Sequence, residues 1–278
     1  MRRGATLAEL VVTMALLTIV LALIARASLG YQRLHLDLKA REVRTRAAEQ
    51  AMEILAVELE PLSPEGGDLA AGQATDSAVE FNAVLAAAIA CDIRGATVRL
   101  PSPSPNTGTT FAEYVSTPSA GDQLFAFDGM SEPEHWSSRT IVHVRQGGAA
   151  CAWADVRDGF TLTLDSALTA ERLAPVRITR RTRYSLYRGG DQQWYLGMRD
   201  WNASSERFNG IQPVSGPYRA YSGSAALTGL RFTYVGAGGR ALDIPVENTG
   251  MIRRVDVTLR GATANDSAQR LIAFHHAR

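Results

Sequence analysis

The sequence predicts an α+β protein in which one long N-terminal helix packs on a body of largely antiparallel β-sheet. Three observations lead to this fold class. The first 60 residues contain no proline, and an apolar run is followed there by an amphipathic one. After Pro61, short β-prone runs alternate with stretches rich in glycine, proline or polar residues. Strands that cluster after a single helix favour a separate sheet over alternating βαβ units.

The apolar run from Leu7 to Ala25 has the length of a membrane-spanning helix. It continues into Arg26 without the small-residue cleavage site of a secretory signal peptide. Arg2 and Arg3 precede the run and favour a cytoplasmic N-terminus with an exported body, whereas the arginines beyond the run weigh against that orientation. Residues 5–28 are therefore predicted to be the transmembrane half of the helix.

Residues 29–60 are predicted to be the amphipathic half of the same helix. Apolar residues at spacings of mostly three and four mark its stripe: Leu34, Leu38, Ala48, Met52, Leu55 and Leu59. Pro61 is the first certain stop, because proline cannot continue the hydrogen-bond ladder. The two halves together predict one helix of about 55 residues, which is roughly 80 Å long.

Residues 61–278 are predicted to form the β-rich body. The clearest strand is VRITRRTRYSLYR, which places Arg177, Arg181 and Arg183 on one face and is followed by the returning run QWYLGMRD. A second hairpin is predicted to turn at residues 236–239, and a last strand, IRRVDVTLRG, follows it. The segment VEFNAVLAAAIACDI fits either a strand or a short helix.

Composition excludes some classes of function and leaves the cysteines open. The net charge is +1, with 29 basic and 28 acidic residues, so no overall field points to nucleic acid. Cys91 and Cys151 lack the spacing of zinc ligands. In an exported domain they are predicted to form a disulfide, and the alternative is two separately buried thiols.

Glu9 stands immediately before a charge-free stretch, where a carboxylate in hydrocarbon would cost a few kcal/mol or more. The residues around it, GATLAELVVTMALL from Gly4 to Leu17, resemble the N-terminal signal of type IV pilins and pseudopilins. In that family a short basic leader ends in glycine, and a prepilin peptidase cuts after it. The new N-terminal residue is methylated, and a glutamate stands fifth in the mature chain.

The resemblance implies a role for each of these residues here. Residues 1–4 would be the leader, with cleavage between Gly4 and Ala5 and N-methylation of Ala5, which stands where the family usually has phenylalanine. Loss of two arginines takes the net charge from +1 to −1. The amine of Ala5 would form an assembly salt bridge with Glu9 of an adjacent subunit. Removing one partner of such a buried pair costs about 3–5 kcal/mol.

The body extends the resemblance. Its tyrosine-rich hairpin and the strands GLRFTYV and IRRVDVTL are similar to the large minor pilins of the PilW kind and to the J-type pseudopilin of type II secretion. The resemblance implies a pilin-like fold and a non-enzymatic filament subunit that acts in initiation or at the tip. Its partners would be prepilin peptidase, other major and minor pilins, the inner-membrane assembly platform and the lipid bilayer.

The same resemblance places the chain in the bacterial inner membrane, with a single span and an exported body, and then in a cell-surface or periplasmic filament. Two alternatives remain: a pseudopilin of the J kind, and a membrane-anchored binding protein or enzyme that never polymerises.

No catalytic, metal or cofactor motif is found in the sequence. The five histidines lack zinc-ligand spacing, and GAGGR lacks the following helix of a phosphate-binding loop. The acidic run DGMSEPE lacks the alternating oxygen ligands of a calcium loop. The arginine face offers only Tyr187 as an aromatic neighbour, so nucleic acid is not expected as a partner.

Overall fold

The computed structural model describes residues 7–102, 112–132, 135–147, 151, 159–203, 205–224, 227–262 and 267–274, with the backbone alone for residues 8 and 9. The predicted cleavage residues Gly4 and Ala5 lie outside the described residues. Within these ranges one long helix precedes a body of antiparallel sheet, which confirms the α+β prediction.

Helix α1 runs from Leu7 to Leu59 without interruption, over 53 residues. It ends two residues before Pro61, as predicted. Gly30, the weakest helix former in the segment, stays within the helix. A Cβ at that position would have no neighbour within 4 Å, so packing does not require the glycine.

Fourteen strands follow α1 in the described residues, and their pairings are antiparallel. They are β1 (Ala78–Ile89), β2 (Asp92–Arg94), β3 (Thr97–Pro101), β4 (Ala112–Tyr114), β5 (Gln123–Asp128), β6 (His135–Gln146), β7 (Gly159–Leu164), β8 (Pro175–Arg188), β9 (Trp194–Asn202), β10 (Arg207–Phe208), β11 (Gln212–Tyr218), β12 (Leu230–Gly236), β13 (Ile252–Arg260) and β14 (Ser267–Ala273).

Eleven strands form a large sheet in the order β10-β9-β8-β5-β6-β7-β3-β2, with β1 paired to β8 and β4 and with β11 paired to β9. β8 organises this sheet. Residues 175–185 of β8 pair with β1 along one edge. On the opposite edge, residues 182–188 pair with β9 and residues 176–179 pair with β5. The sheet therefore forks at residues 180–181. The remaining strands form a second sheet, β12-β13-β14.

Two hydrophobic cores are present, one on each side of this fork. The first core joins the end of α1 to the second sheet and to one half of β8, through buried residues such as Leu55, Leu59, Tyr184 and Phe232. The second core lies inside the other half of the large sheet and includes Ile178. Tyr184 and Ile178 are both in β8, so this one strand contributes to both cores.

The amphipathic stripe of α1 is only partly used. Ala48, Met52, Leu55 and Leu59 are buried in the first core, whereas Leu34 and Leu38 are exposed. The same apolar periodicity thus continues beyond the body, where none of the described elements of this chain covers it.

The structure decides one segment of the body that the sequence left open and corrects another. VEFNAVLAAAIACDI, which fits either a strand or a short helix, forms most of β1, and the first four residues of β1 are all buried. The hairpin predicted at residues 236–239 is wrong in its return strand. After the turn only Ala241 bridges back, to Val235, and β12 pairs instead with β13. Pro245 in the return segment has no N–H to donate to a ladder.

Truncation of Leu55 tests the docking of α1 on the body. Its side chain is fully buried, so we expect Leu55→Ala to lower the free energy of unfolding by about 2–5 kcal/mol. The measurement is denaturant unfolding of the detergent-solubilised chain, followed by near-ultraviolet circular dichroism. Leu38→Ala is the matched control on the exposed part of the helix, with an expected change within about 0.5 kcal/mol. Equal losses in the two variants would contradict this packing.

Candidate functional site

The first half of α1 projects away from the body. Every described side chain from Leu7 to Val43 is exposed, and Ala48 is the first buried residue. At 1.5 Å per residue, the 41 residues before Ala48 span roughly 60 Å. The exposed apolar stretch from Leu10 to Ala25 at its start is expected to be covered by a membrane or by other chains.

This projecting half contains a stretch that is apolar enough to cross a membrane. Within the described residues, α1 is the one helix that meets this criterion of length and composition. Its two polar side chains between Leu10 and Ala25 are satisfied inside the helix. The hydroxyl of Thr13 donates to the carbonyl of Leu10 at 2.9 Å, and that of Thr18 donates to the carbonyl of Ala15 at 2.8 Å. Neither hydroxyl needs water, which suits a hydrocarbon environment.

Charge is segregated along the rest of α1. The basic segment, residues 26–46, carries six Lys or Arg residues and two acidic ones. The acidic segment, residues 49–60, carries four glutamates and no basic residue. The basic segment lies almost entirely on the projecting half, whereas the acidic segment is docked on the body. One helix therefore presents two patches of opposite charge at different heights.

The body anchors the acidic segment through ion pairs at the edge of the second sheet. Arg270 of β14 pairs with Glu53, and its Nη2 lies 3.7 Å from a carboxylate oxygen of Glu60. Arg253 pairs with Glu65 just beyond the helix. These pairs are largely exposed and contribute little stability.

The site residues predicted from the sequence lie in different parts of the structure. Glu9 lies in the first turn of α1, and its side chain is outside the described part. Cys91 and Cys151 form a disulfide, with Cα atoms 4.9 Å apart. This bond joins the segment before β2 to a segment 60 residues away. The structure does not bring these cysteines near α1.

The arginines of β8 are ion-paired. Nη1 of Arg177 donates to Asp68 at 2.8 Å, and Arg181 pairs with Glu80, to which Arg183 lies at 3.9 Å. Sequence reasoning missed these partners because they lie about 100 residues away along the chain.

The aromatic neighbours of this face were also missed, and the expectation of Tyr187 alone is wrong. Arg177 lies over the rings of Phe125 and Trp136, at 4.7 and 5.3 Å. Arg181 lies over Trp201 and Phe208, at 4.6 and 5.5 Å. Guanidinium groups in this geometry are attracted by the ring faces.

Arg180 interrupts the apolar face of β8, and its contacts explain why a charged residue is tolerated there. It lies at the fork and binds Asp122 through two hydrogen bonds, from Nε at 2.7 Å and from Nη2 at 2.8 Å. The hydrogen bond to Asp122 raises the pKa of Arg180, against an opposing effect of burial. Asp122 is itself buried, so the pair closes the inner side of the fork.

The described residues contain no cluster of three or more metal-ligating side chains. His143 is exposed in β6. Asp128 of the predicted acidic loop is buried and accepts hydrogen bonds from the backbone of Met130 and from both the backbone and the hydroxyl of Ser131. These local bonds account for its carboxylate, and Glu134 lies outside the described residues.

Glu58 is the acid of α1 that the body half-buries. It lines an apolar pocket of about 320 Å³ together with Val57, Val84, Leu85 and Val115. Burial raises the pKa of Glu58, with a hydrogen bond from Tyr184 acting in the opposite direction. Its Oε2 atom has no hydrogen-bond partner. At the docked end of α1, one carboxylate oxygen of Glu58 is therefore buried without a hydrogen bond, which costs free energy when the group is charged.

Glu58 makes the docking sensitive to pH. The native state retains its proton to higher pH than the unfolded chain, so the free energy of unfolding falls as pH rises from 4.5 through the native pKa. Glu58→Gln cannot ionise, and we expect it to lose less stability than the unmodified chain over that interval. Denaturant unfolding at a series of pH values measures this. Glu49→Gln, an exposed position on the same helix, is the control, and identical pH slopes for all three chains would contradict the assignment.

No family model matches this sequence, and no curated protein or solved structure is significantly similar to it. A function for the chain must therefore be inferred from its own residues and geometry.

Proposed function

We propose that the chain is a minor type IV pilin or pseudopilin, a non-enzymatic filament subunit that acts in initiation or at the tip. One observation carries the proposal: a single 53-residue helix is apolar and exposed in its first half and docked on an antiparallel body in its last turns. A monomeric soluble protein would not leave such a helix uncovered. The exposed apolar half and the docked half are both explained if the helix first spans a bilayer and later packs against the helices of other filament subunits.

Processing by prepilin peptidase starts the proposed assembly. The peptidase hydrolyses the peptide bond between Gly4 and Ala5, which releases the basic leader and leaves a free amine on Ala5. N-methylation of this amine keeps its positive charge. The mature chain then has a cation at its first residue and a carboxylate at its fifth, Glu9.

The two opposite charges serve assembly between subunits. In the apolar interior of a filament, an unpaired carboxylate is costly, and pairing with the amine of a neighbouring chain removes most of that cost. Only one axial register brings the two groups together. The pair therefore selects the register in which the apolar segments pack.

Charge segregation along α1 favours a further axial stagger, between neighbours other than the two that pair Ala5 with Glu9 at an offset of about 6 Å. When subunits are stacked with an axial stagger, the basic segment of one helix can lie beside the acidic segment of its neighbour. The unstaggered arrangement would place like charges side by side, which is unfavourable. The two segment centres are about 18 residues apart, which corresponds to a stagger of roughly 27 Å.

Export of the body is supported by the disulfide. The basic segment after the apolar stretch would by itself favour the opposite orientation in the membrane. A disulfide between Cys91 and Cys151 persists in an oxidising compartment and is rare in the cytoplasm. This favours an N-terminus in the cytoplasm, a single span in the bacterial inner membrane and a body outside it. Extraction from the membrane then places the chain in a cell-surface or periplasmic filament.

The size of the body favours a position at the end of the filament. The body contains two sheets and two cores, and only the first core packs on the last turns of α1. A body of this width is harder to repeat along a filament than to place once. Type II secretion pseudopilins of the J kind share this expected position. Deletion of the chain separates the two cases, through loss of pili or loss of secretion.

Cleavage is the first test of this function. We expect chain purified from membranes of a cell that has prepilin peptidase to begin at Ala5, with or without the added mass of one methyl group. Mass spectrometry of the N-terminal peptide measures this, and a Gly4→Val chain, in which the cleavage glycine is lost, is the control. Recovery of intact Met1 from the unmodified chain would favour the non-polymerising membrane-anchored protein.

Glu9→Gln tests the assembly salt bridge. It keeps the size of the side chain but removes the charge, so we expect normal cleavage at Ala5 and at least a tenfold loss of this subunit from sheared filaments. Loss of a partner worth about 3 kcal/mol would give a decrease of this order or more. Thr13→Ala, one turn further along the same helix face, is the control and is expected to assemble normally. Undiminished incorporation of Glu9→Gln would overturn the salt bridge while leaving the cleavage result intact.

A further inference from the structure

The outer face of the large sheet carries a groove at the fork of β8. Its volume is about 810 Å³, within the range of small-molecule sites. Loops on both sides of the fork form its walls and meet closely: a Cβ placed on Gly121 would lie 2.1 Å from that of Ala203. Gly121 has a φ of +96°, so its backbone also favours glycine.

The groove is lined by uncharged polar groups and by aromatic rings. The amides are those of Asn82 and Gln123, and the hydroxyls are those of Ser138 and Thr140. Each of these groups can both donate and accept a hydrogen bond. Gln123 and Thr140 face each other on β5 and β6, with 3.4 Å between Nε2 and Oγ1. This weak contact leaves most of their hydrogen-bonding capacity available.

Aromatic rings flank these polar groups at both ends. Trp201 lines the groove beside Arg181, and Phe208 meets Trp201 edge-on at a centroid distance of 5.2 Å. On β6, Trp136 lies two residues before Ser138 on the same face and is 44% exposed. The rings thus provide flat apolar surfaces next to hydrogen-bonding groups.

The charges of this face are balanced. Three arginines and three acids lie on this face. The arginines Arg177, Arg181 and Arg183 pair with Asp68 or Glu80. The third acid, Glu206, lines the groove. A polyanion such as single-stranded nucleic acid gains affinity from unpaired basic groups along its backbone. Here the guanidinium groups are held by acids and rings, and a phosphate would also meet Glu206. An uncharged ligand avoids this cost.

Behind the groove, the polar layer is incompletely hydrogen-bonded. Eight buried side-chain polar atoms in the described residues lack a hydrogen-bond partner, and four of them lie in this layer. They are Oδ1 of Asp68, Oε2 of Glu80, Oγ1 of Thr179 and Nε of Arg177. These residues support the groove but do not line it, so the atoms are not ligand contacts. Glu206 adds a φ of +50°, uncommon for a residue other than glycine, at the rim of the same groove.

We propose that this groove binds a neutral oligosaccharide. The hydroxyls of a sugar donate and accept hydrogen bonds, as the groups of the groove do, and its C–H faces are apolar surfaces that stack on Trp201 and Trp136. The ligand needs no charge to enter. The site lies on the body and does not require the chain to polymerise, so it stands or falls separately from filament assembly.

The test uses the full chain in a zwitterionic detergent, because detergents with sugar head groups would compete. The neutral probes are chitotetraose, cellotetraose and maltotetraose, and the anionic probe is a single-stranded oligothymidylate. Titration is followed by tryptophan fluorescence and by calorimetry. We expect saturable binding of at least one neutral probe, with an affinity that is the same at about 50 and 200 mM salt. Saturation by the oligonucleotide alone, or by none of the four probes, would overturn the proposal.

Substitutions locate the binding in the groove. We expect Trp201→Ala to weaken the neutral probe by about tenfold, the effect of losing one stacking surface. Trp194→Ala in the same strand lies outside the groove and is expected to stay within twofold. Gln123→Ala removes a hydrogen-bonding side chain and no aromatic ring. It therefore tests the same groove if Trp201→Ala fails to fold. Unchanged affinity in both Trp201→Ala and Gln123→Ala would refute this location.

Discussion

The docking of the last turns of α1 into the first core is the interaction on which the rest of the structure depends. Leu55 and Leu59 are fully buried there between the two sheets, and this contact fixes both the direction and the height of the projecting helix. A slip by one helical turn would move the apolar stretch by about 5.4 Å relative to the body. It would also separate Glu53 from Arg270. The packing sets the position, and the exposed ion pairs are consistent with it but add little stability.

The two halves of α1 satisfy different physical requirements within one continuous helix. A helix that is apolar all round needs a hydrocarbon or protein environment on every side. A helix with one apolar stripe needs a single surface, and the body provides it. The all-round apolar character ends near Arg26 and docking on the body begins at Ala48, and the helix breaks at neither point.

Sequence alone predicted the helix, its end before Pro61 and strands such as β8 and β13, because their signals are local periodicities. It did not predict the groove, because Asn82, Gln123, Thr140 and Trp201 meet only through the register of five strands. The arginines of β8 illustrate this difference. As a pattern they indicate a solvated strand face, and only the long-range pairing with β1 brings Glu80 beside Arg181. β1 itself gave an ambiguous pattern because burial on both faces removes the alternation.

The fork of β8 allows one chain to hold two unrelated surfaces. On the first-core side of the fork, β8 contributes Tyr184 to the packing that holds α1, and on the other side it contributes Ile178 to the second core. On the edge that faces β5 and β9, residues 180 and 181 have no paired strand, and the pair of Arg180 with the buried Asp122 closes the inner side of this gap. The outer side stays open and becomes the groove. Because the groove is formed where the two cores part, its side chains can change without altering the residues that hold α1. The proposed filament assembly and the proposed ligand binding therefore depend on separate sets of residues in the same fold.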